Sequence, residues 1–243
     1  MSNSSQLDFI QTDYLHVFVG QSVLPKLYGS ANPAAIDHVC LFFLKKATRH
    51  LEAIRTLCRH EFGEDALILG RTMLEHCLYL EHIAAGADVE QRRIRAESFV
   101  YDGDRQRVEK LKELDALKAA GKSLSWIAGL QSSNPVQEVS PEPLGFQRLP
   151  NLKAIATGLG GEWESYYHFV YWSVSKLAHP SGLGSRTYTA DPDSEAEVSR
   201  ALALAFPMHA YLTRTVLELL GRADLFPALD ERMSRFINLD SQG

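Results

Sequence analysis

The sequence predicts an all-α protein, a single irregular helical bundle over residues 1–243 with a proline-rich loop near 131–151. Apolar residues recur at steps of three and four along most of the chain, which is the period of an amphipathic α-helix. No segment alternates polar and apolar residues for long enough to predict a strand. Hydrophobic residues make up 45% of the chain and charged residues 23%, as in a globular protein with a sizeable core.

The first half of the chain is predicted to form four helical stretches. They cover residues 5–27, 32–60, 64–86 and 89 to about 120. The second stretch opens with Asn32 as a helix N-cap and Pro33 at the first helical position, the residue types preferred there. The fourth is dense in charge, and YDGD at 101–104 divides it if it forms a helix pair.

The second half starts with a loop and then returns to helices. Residues 131–151 contain four prolines, at positions 135, 141, 143 and 150, and no sustained period, so they predict a loop. Helices are predicted from about 152, from 162 to 178, from 195 to 221 and near 227–237. Ser194 and Glu197 have the spacing of a capping box at the start of the long C-terminal helix.

Charge and cysteine content restrict the function classes. The net charge of -5 and the pI near 6.0 argue against broad electrostatic binding to nucleic acid or to an anionic membrane. The three cysteines are far apart and form no C-x-x-C, which favours buried free thiols in a reducing compartment. The first residues do not resemble a secretory signal, and the most apolar segment, 201–212, is too short to span a bilayer. We therefore expect a cytoplasmic protein without a membrane partner.

A polar stripe crosses the otherwise apolar helix predicted at 64–86. On a wheel that advances about 100° per residue, Arg71, Glu75 and His82 point in nearly the same direction, with Tyr79 at the margin. Arg71 and Glu75 are i,i+4 neighbours, which is the spacing of a surface ion pair. Because apolar residues occupy much of the remaining circumference, the same pair is also a candidate buried anchor for an anion or a substrate. The sequence leaves both interpretations open.

The same region contains Arg-x-x-x-x-His twice, as RTLCRH at 55–60 and RTMLEH at 71–76. This spacing is similar to the signature of HEPN domains, helical bundles that often act as metal-independent ribonucleases. Residues i and i+5 of a regular helix lie about 140° apart, so Arg71 and His76 are expected to diverge. On geometry alone, two chance matches are the better interpretation.

A second stripe ends the helix predicted at 162–178. His168, Tyr171, Ser175 and His179 follow at steps of three, four and four residues, so they share one side of a regular helix. Their side chains can all donate and accept hydrogen bonds. Pro180 ends the helix beside His179, where the helix dipole favours a protonated imidazole. The stripe is either the polar edge of a half-buried helix or part of a site.

No cofactor and no metal site are predicted. The chain has nine histidines but neither H-x-x-x-H nor H-E-x-x-H, and it has no P-loop, no Rossmann glycine pattern and no G-x-S-x-G. A basic strip on the charge-dense helix is a minor candidate for RNA binding, although acidic residues are interleaved with it. Its members are Arg92, Arg93, Arg95, Arg105 and Arg107.

Together, ALILGRTMLEHCLYLEHI at 66–83 and YYHFVYWSVSKLAHPSG at 166–182 resemble an uncharacterised family of bacterial helical proteins. Its members pair an Arg-x-x-x-Glu helix with a Ser-x-x-x-His motif, and some occur near HEPN-like or phage-defence proteins. The resemblance assigns the motif residues to Arg71, Glu75, Ser175 and His179. It also implies that the two stripes face each other across one cavity, but it supplies no reaction.

Two functions of different classes follow. In the first, the protein is a HEPN-like metal-independent ribonuclease of the toxin or phage-defence type. Arg71 holds a phosphate, Glu75 orients Arg71, and His179 acts as general acid or base, with Ser175 beside it. RNA or a small anionic ligand is then the expected partner, and a homodimer is a candidate state because HEPN-like proteins commonly dimerise. The residues predicted to contact the substrate are Tyr171, His168, Tyr79 and His82.

In the second function, the same residues form a buried structural network inside a non-catalytic interaction or ligand-binding module. Removing one member of such a network is expected to lower stability sharply, because the other is left buried and unpaired. An enzyme that acts on a small acidic substrate is a third interpretation, supported only by the arginine and the histidine.

Overall fold

The computed structural model describes residues 3–27, 34–121, 142–178 and 194–241, and every regular element in these ranges is helical. The all-α prediction is therefore confirmed. Contacts between backbone positions divide the chain into two compact units, Met1–Ala85 with Pro150–Gly243, and Gly86–Leu149. The single-domain organisation stays a prediction.

The elements follow one another in the order below. The chain forms α1 (Ser4–Phe9), a first π-helix (Ile10–Val23), α2 (Leu24–Leu27), α3 (Ala35–Arg59), α4 (Gly63–Ala84) and α5 (Val89–Ala119). It continues as α6 (Leu152–Leu159), α7 (Gly161–Tyr166), a second π-helix (Tyr167–Tyr171), α8 (Trp172–Ala178), α9 (Ser194–Leu219), a 3-10 turn (Ala223–Leu225) and α10 (Phe226–Ser241).

The residues predicted to begin two of the helices lie wholly or partly outside the described ranges. Asn32 and Pro33, predicted to begin α3, lie outside the described residues. The Asp37 carboxylate accepts a hydrogen bond from the Ala34 backbone N–H at 3.0 Å, which satisfies one free donor just before α3. The Ser194 side chain of the predicted capping box also lies outside the described part of the chain.

Two stretches predicted as regular helix contain π-helical turns, in which the backbone bonds run from residue i to i+5. In the first π-helix, side-chain partners follow the same spacing. The Ser22 hydroxyl donates to the Val17 carbonyl at 3.4 Å, and the side-chain nitrogens of Gln21 and His16 are 3.4 Å apart. A three-to-four-residue apolar period does not distinguish these wider turns from α-helix.

The core of the first unit lies where α3, α4 and α9 meet, and these three helices share the most extensive contacts. Their facing sides bury Leu44 and Leu51 from α3, Met73 and Leu74 from α4, and Phe206 from α9. Each large apolar side chain buried in this way stabilises the fold by about 1.5–3 kcal/mol. The three cysteines are free and buried in the same helices, as predicted.

Gly63 sets the closest approach of α4 to α9. A Cβ atom at this position would lie 2.6 Å from the Glu197 Cβ and 2.6 Å from the Val198 backbone nitrogen. Real Cβ atoms do not come so near to backbone, so only glycine lets the first turns of the two helices meet at this distance.

The described part of the second unit contains α5 and the segment 142–149. The helix runs without a break through 101–104, so the suggested division at YDGD does not occur. The described residues 142–151 contain no helix, in agreement with the predicted loop, and residues 131–141 lie outside the described ranges. The Gln147 backbone N–H donates to the Ser98 hydroxyl at 3.1 Å, and the Tyr101 and Phe146 rings meet edge to face.

Charges along α5 are paired within the helix. Arg93 pairs with Glu90 and Glu97, and Arg105 pairs with Asp102 and Glu109, all at i,i+3 or i,i+4 spacing. The predicted basic strip therefore has acidic partners at these two arginines. RNA binding along α5 stays a prediction.

Candidate functional site

Arg71 connects α4 to the second π-helix. Its Nη2 atom lies 3.0 Å from the Glu75 Oε1 atom and donates a hydrogen bond to the Tyr171 hydroxyl at 2.8 Å. The Arg71 Cζ atom also lies 4.3 Å from the centroid of the Tyr171 ring, a cation–π distance. One guanidinium thus holds an acidic partner on its own helix and an aromatic partner a hundred residues later.

This cluster is half-buried, and burial changes its electrostatics. The Arg71 and Glu75 side chains are 17% and 25% exposed. Burial raises the pKa of Glu75, and the positive charge of Arg71 opposes that rise. The Arg71 Nε atom is sealed from solvent and has no hydrogen-bond partner among the described residues. The Nη2 atom of Arg71 therefore contacts Glu75 and Tyr171, while its Nε atom is buried.

Aromatic stacking holds Tyr171 in place. The Tyr167 and Tyr171 rings are stacked with centroids 4.9 Å apart, and the His168 ring meets Tyr167 edge-on at 5.6 Å. Residues four apart face one another along this segment, so the stack follows from the local helical geometry. The Ser175 hydroxyl donates to the Tyr171 backbone carbonyl at 2.5 Å, a local bond within one turn.

The predicted site residues are placed as follows. Arg71, Glu75 and Tyr171 come together, and Ser175 lies one turn beyond Tyr171 with its hydroxyl turned to the backbone. His168 is exposed and contacts Tyr167. Tyr79 and His82 are half-buried on α4, about two and three turns beyond Arg71. His179 lies outside the described residues, as does Pro180.

The second member of the RTMLEH pattern faces a different helix. His76 stacks on His50 of α3 with ring centroids 5.2 Å apart and planes 13° apart, and it also contacts Phe43. Burial lowers the pKa of His76 to about 4, and the neighbouring His50 and Lys46 add to this. Arg71 contacts the second π-helix while His76 contacts α3, in keeping with their wide angular separation on α4.

Sequence reasoning missed a buried polar network centred on His209 of α9. The Tyr14 hydroxyl lies 2.9 Å from the His209 Nδ1 atom, and the Thr48 hydroxyl lies 3.1 Å from Nε2. The Thr213 hydroxyl lies 3.3 Å from Nδ1 and 3.5 Å from the Tyr14 hydroxyl. His209 is fully buried, and burial lowers its pKa to about 3. A single histidine inside the apolar segment ALALAFPMHAYL was the available signal.

A cavity of about 400 Å³ was also missed. It lies among α7, α9 and α10, and its wall includes Trp163, Tyr166 and Tyr211. None of the predicted site residues lines it. Its lining comes from three different helices, one of them well before the other two in the sequence, so no local spacing marks it.

The described ranges offer neither a cluster of metal-binding side chains nor a membrane-spanning helix. In those ranges, no three histidine, cysteine, aspartate or glutamate side chains are grouped so that they could hold a metal ion. Among the helices whose residues are described, none is long and apolar enough to cross a membrane.

Comparison with known proteins identifies a family but no characterised relative. No curated protein matches the sequence, and no solved structure matches it. Residues 37–196, more than half of the chain, match DUF5677, described as a family of unknown function. The matched region contains Arg71, Glu75, Tyr171 and Ser175. The expected relation to an uncharacterised family is therefore confirmed at that level: the chain belongs to the DUF5677 family.

Proposed function

We propose that this protein is a non-catalytic ligand-binding module in which Arg71, Glu75 and Tyr171 form a structural anchor. The observation that carries the proposal is the position of the Arg71 guanidinium. Its Nη2 atom is shared by Glu75 and Tyr171, and its Nε atom is sealed from solvent. A catalytic arginine must present its donors to the substrate, whereas Nη2 of Arg71 is engaged by Glu75 and Tyr171 and its Nε is closed off from solvent.

The anchor fastens the second π-helix to α4. Without Arg71, the Glu75 carboxylate loses its counter-charge in a half-buried position, and Tyr171 loses both its hydrogen bond and its cation–π contact. Removing one partner of a buried charge pair costs more than the pair contributes, because the remaining charge stays desolvated.

Arg71→Ala is therefore expected to lower the free energy of unfolding by about 2–4 kcal/mol. Lys26→Ala is the matched control, because Lys26 forms an exposed ion pair with Asp224 in the same unit. That control is expected to cost less than about 1 kcal/mol. Chemical denaturation of the two variants and the wild type gives the comparison. Equal, small losses in both variants would contradict a structural anchor.

The competing candidate is a metal-independent ribonuclease, HEPN-like and of the toxin or phage-defence type. It draws support from the cation of Arg71 beside the Tyr171 hydroxyl and from the sequence motif that includes Ser175 and His179. The discriminating assay incubates purified protein with single-stranded RNA in the presence of a chelator. We expect no cleavage. Cleavage that disappears in His179→Ala, with unchanged melting, would replace the binding proposal with the ribonuclease.

A further inference from the structure

The cavity among α7, α9 and α10 has the size and composition of a small-molecule site. Its volume is about 400 Å³, within the range of about 300–1,000 Å³ that such sites occupy. Met208, Leu229 and Met233 form an apolar part of its wall. Methionine side chains adapt to ligands of irregular shape.

Three aromatic rings form another part of the wall at steep mutual angles. The Trp163 and Tyr211 rings are 5.0 Å apart with planes at 83°, and the Trp163 and Tyr166 rings are 6.1 Å apart at 59°. Rings held at such angles present more than one π-face to a single volume, which is the arrangement of an aromatic cage for cations.

The charges of the lining favour a positive ligand. Three lining residues are charged, namely Glu162, Arg214 and Asp230. Arg214 and Asp230 pair with each other at 2.6 Å, and the Arg214 guanidinium also lies over the Phe226 ring at 4.5 Å. Glu162 has no ion-pair partner among the described residues, so the lining keeps one negative charge beside the aromatic rings.

We propose that this cavity binds a small organic cation of the quaternary or methylated ammonium class. The cationic head lies against the faces of Trp163, Tyr166 and Tyr211, and Glu162 supplies the counter-charge. The methionine and leucine side chains contact the apolar remainder of the ligand. An anionic ligand is disfavoured because the lining arginine is already paired with Asp230. This assignment rests on the proposed ligand-binding function and names its ligand class.

The test compares choline with 3,3-dimethylbutan-1-ol, in which carbon replaces the charged nitrogen and the shape is preserved. Isothermal titration of the purified full chain is expected to show saturable binding of choline, at least about tenfold tighter than the neutral probe. Glu162→Gln is expected to weaken choline binding several-fold without affecting the neutral probe. Glu162 is exposed, so this variant leaves the packing intact.

Ring variants locate the site. Trp163→Leu is expected to weaken choline binding by about 2- to 30-fold, the range of a cation–π contact. Trp172→Leu is the matched control, because Trp172 is 56% exposed on α8 and does not line the cavity. If Trp163→Leu melts well below the wild type, Tyr166→Leu takes its place.

Equal affinity for the two probes, or no saturable binding of either, overturns the cation assignment. An unchanged choline affinity in both Glu162→Gln and the ring variants does the same. These outcomes leave the proposed function standing, because that function fails on other measurements, namely RNA cleavage that requires His179 or a stability loss in Arg71→Ala no larger than that in Lys26→Ala. The two failures are therefore distinguishable.

Discussion

Lowering the pH from 7 to 5 is expected to destabilise the protein by about 2 kcal/mol through His209 alone. His209 lies in the buried network with Tyr14 and Thr48, and one ring nitrogen must accept a hydrogen bond there because a neutral imidazole has one donor and one acceptor. Protonation would remove that acceptor and place a charge where water does not reach.

The magnitude follows from the pKa values of the two states. Burial lowers the pKa of His209 from 6.5 to about 3, so the unfolded chain binds more protons throughout this interval. Stability that is present above pH 6.5 is therefore lost as the pH falls towards the folded value. Because a difference of one pKa unit corresponds to about 1.4 kcal/mol, the loss at pH 5 is a large part of a typical folding free energy of about 5–15 kcal/mol.

The assay is urea denaturation at several pH values between 5 and 7 for the wild type and His209→Gln. The variant is expected to start less stable at pH 7, since it loses network hydrogen bonds, but to show a pH dependence smaller by about 2 kcal/mol. His60→Gln, which changes an exposed histidine just after α3, is the control for the loss of an imidazole from the surface. His76, whose pKa is also lowered, acts in the same direction in all three proteins.

A second measurement does not depend on any variant. In the folded wild type, the His209 ring resonances in an NMR titration should hardly shift between pH 7 and pH 5. A midpoint near 6.5 for this ring would refute the reasoning, because it would mean that the network accepts the charged form. An unchanged slope in His209→Gln would refute it as well.

Three further outcomes are expected. Gly63→Ala should lower the free energy of unfolding by about 1–3 kcal/mol. Gly158→Ala is the control, because no atom lies within 4 Å of the added Cβ, and it should leave the free energy of unfolding equal or raise it. Equal effects of the two variants in chemical denaturation would contradict the close approach of α4 and α9. Because burial raises the pKa of Glu75, the folded state binds the extra proton, and stability falls as the pH rises through that pKa. Glu75→Gln should therefore gain stability relative to the wild type as the pH rises from 4.5, and a constant difference between the two would show that the carboxyl is not perturbed. The three buried cysteines, whose thiol pKa values burial raises, should react with a chromogenic disulfide only in denaturant; rapid reaction of the native protein would place at least one of them at the surface.

Most helix positions could be predicted from the sequence, because burial of one side of a helix makes apolar residues recur with the helical period. The predicted helix at 64–86 is α4, Gly63–Ala84, and the one at 195–221 is α9, Ser194–Leu219. The π-helical turns were not readable, because they change the backbone bonding pattern without requiring a different composition. This affects the predicted stripe of His168, Tyr171 and Ser175, because a regular helical wheel does not describe the second π-helix, Tyr167–Tyr171.

The candidate site was predictable only where it is local. Arg71 and Glu75 are i,i+4 neighbours, so helix geometry alone predicted their contact. Tyr171 was proposed as a substrate contact, and its bond to Arg71 depends on packing between helices a hundred residues apart. The aromatic cavity depends on three helices at once, and no motif spacing encodes such an arrangement.

The second π-helix also bears on how related chains can vary. A π-helical turn holds one residue more than an α-helical turn, so deleting a residue within Tyr167–Tyr171 would restore a regular helix and leave α7 and α8 intact. Tyr171 would keep nearly the same facing towards Arg71, because a π-helical turn with one extra residue and a regular α-helical turn rotate the chain through about the same angle. Relatives that are one residue shorter at this place but keep the tyrosine are therefore expected to retain the contact with Arg71, so substitution of the tyrosine, more than deletion of a neighbour, removes the anchor.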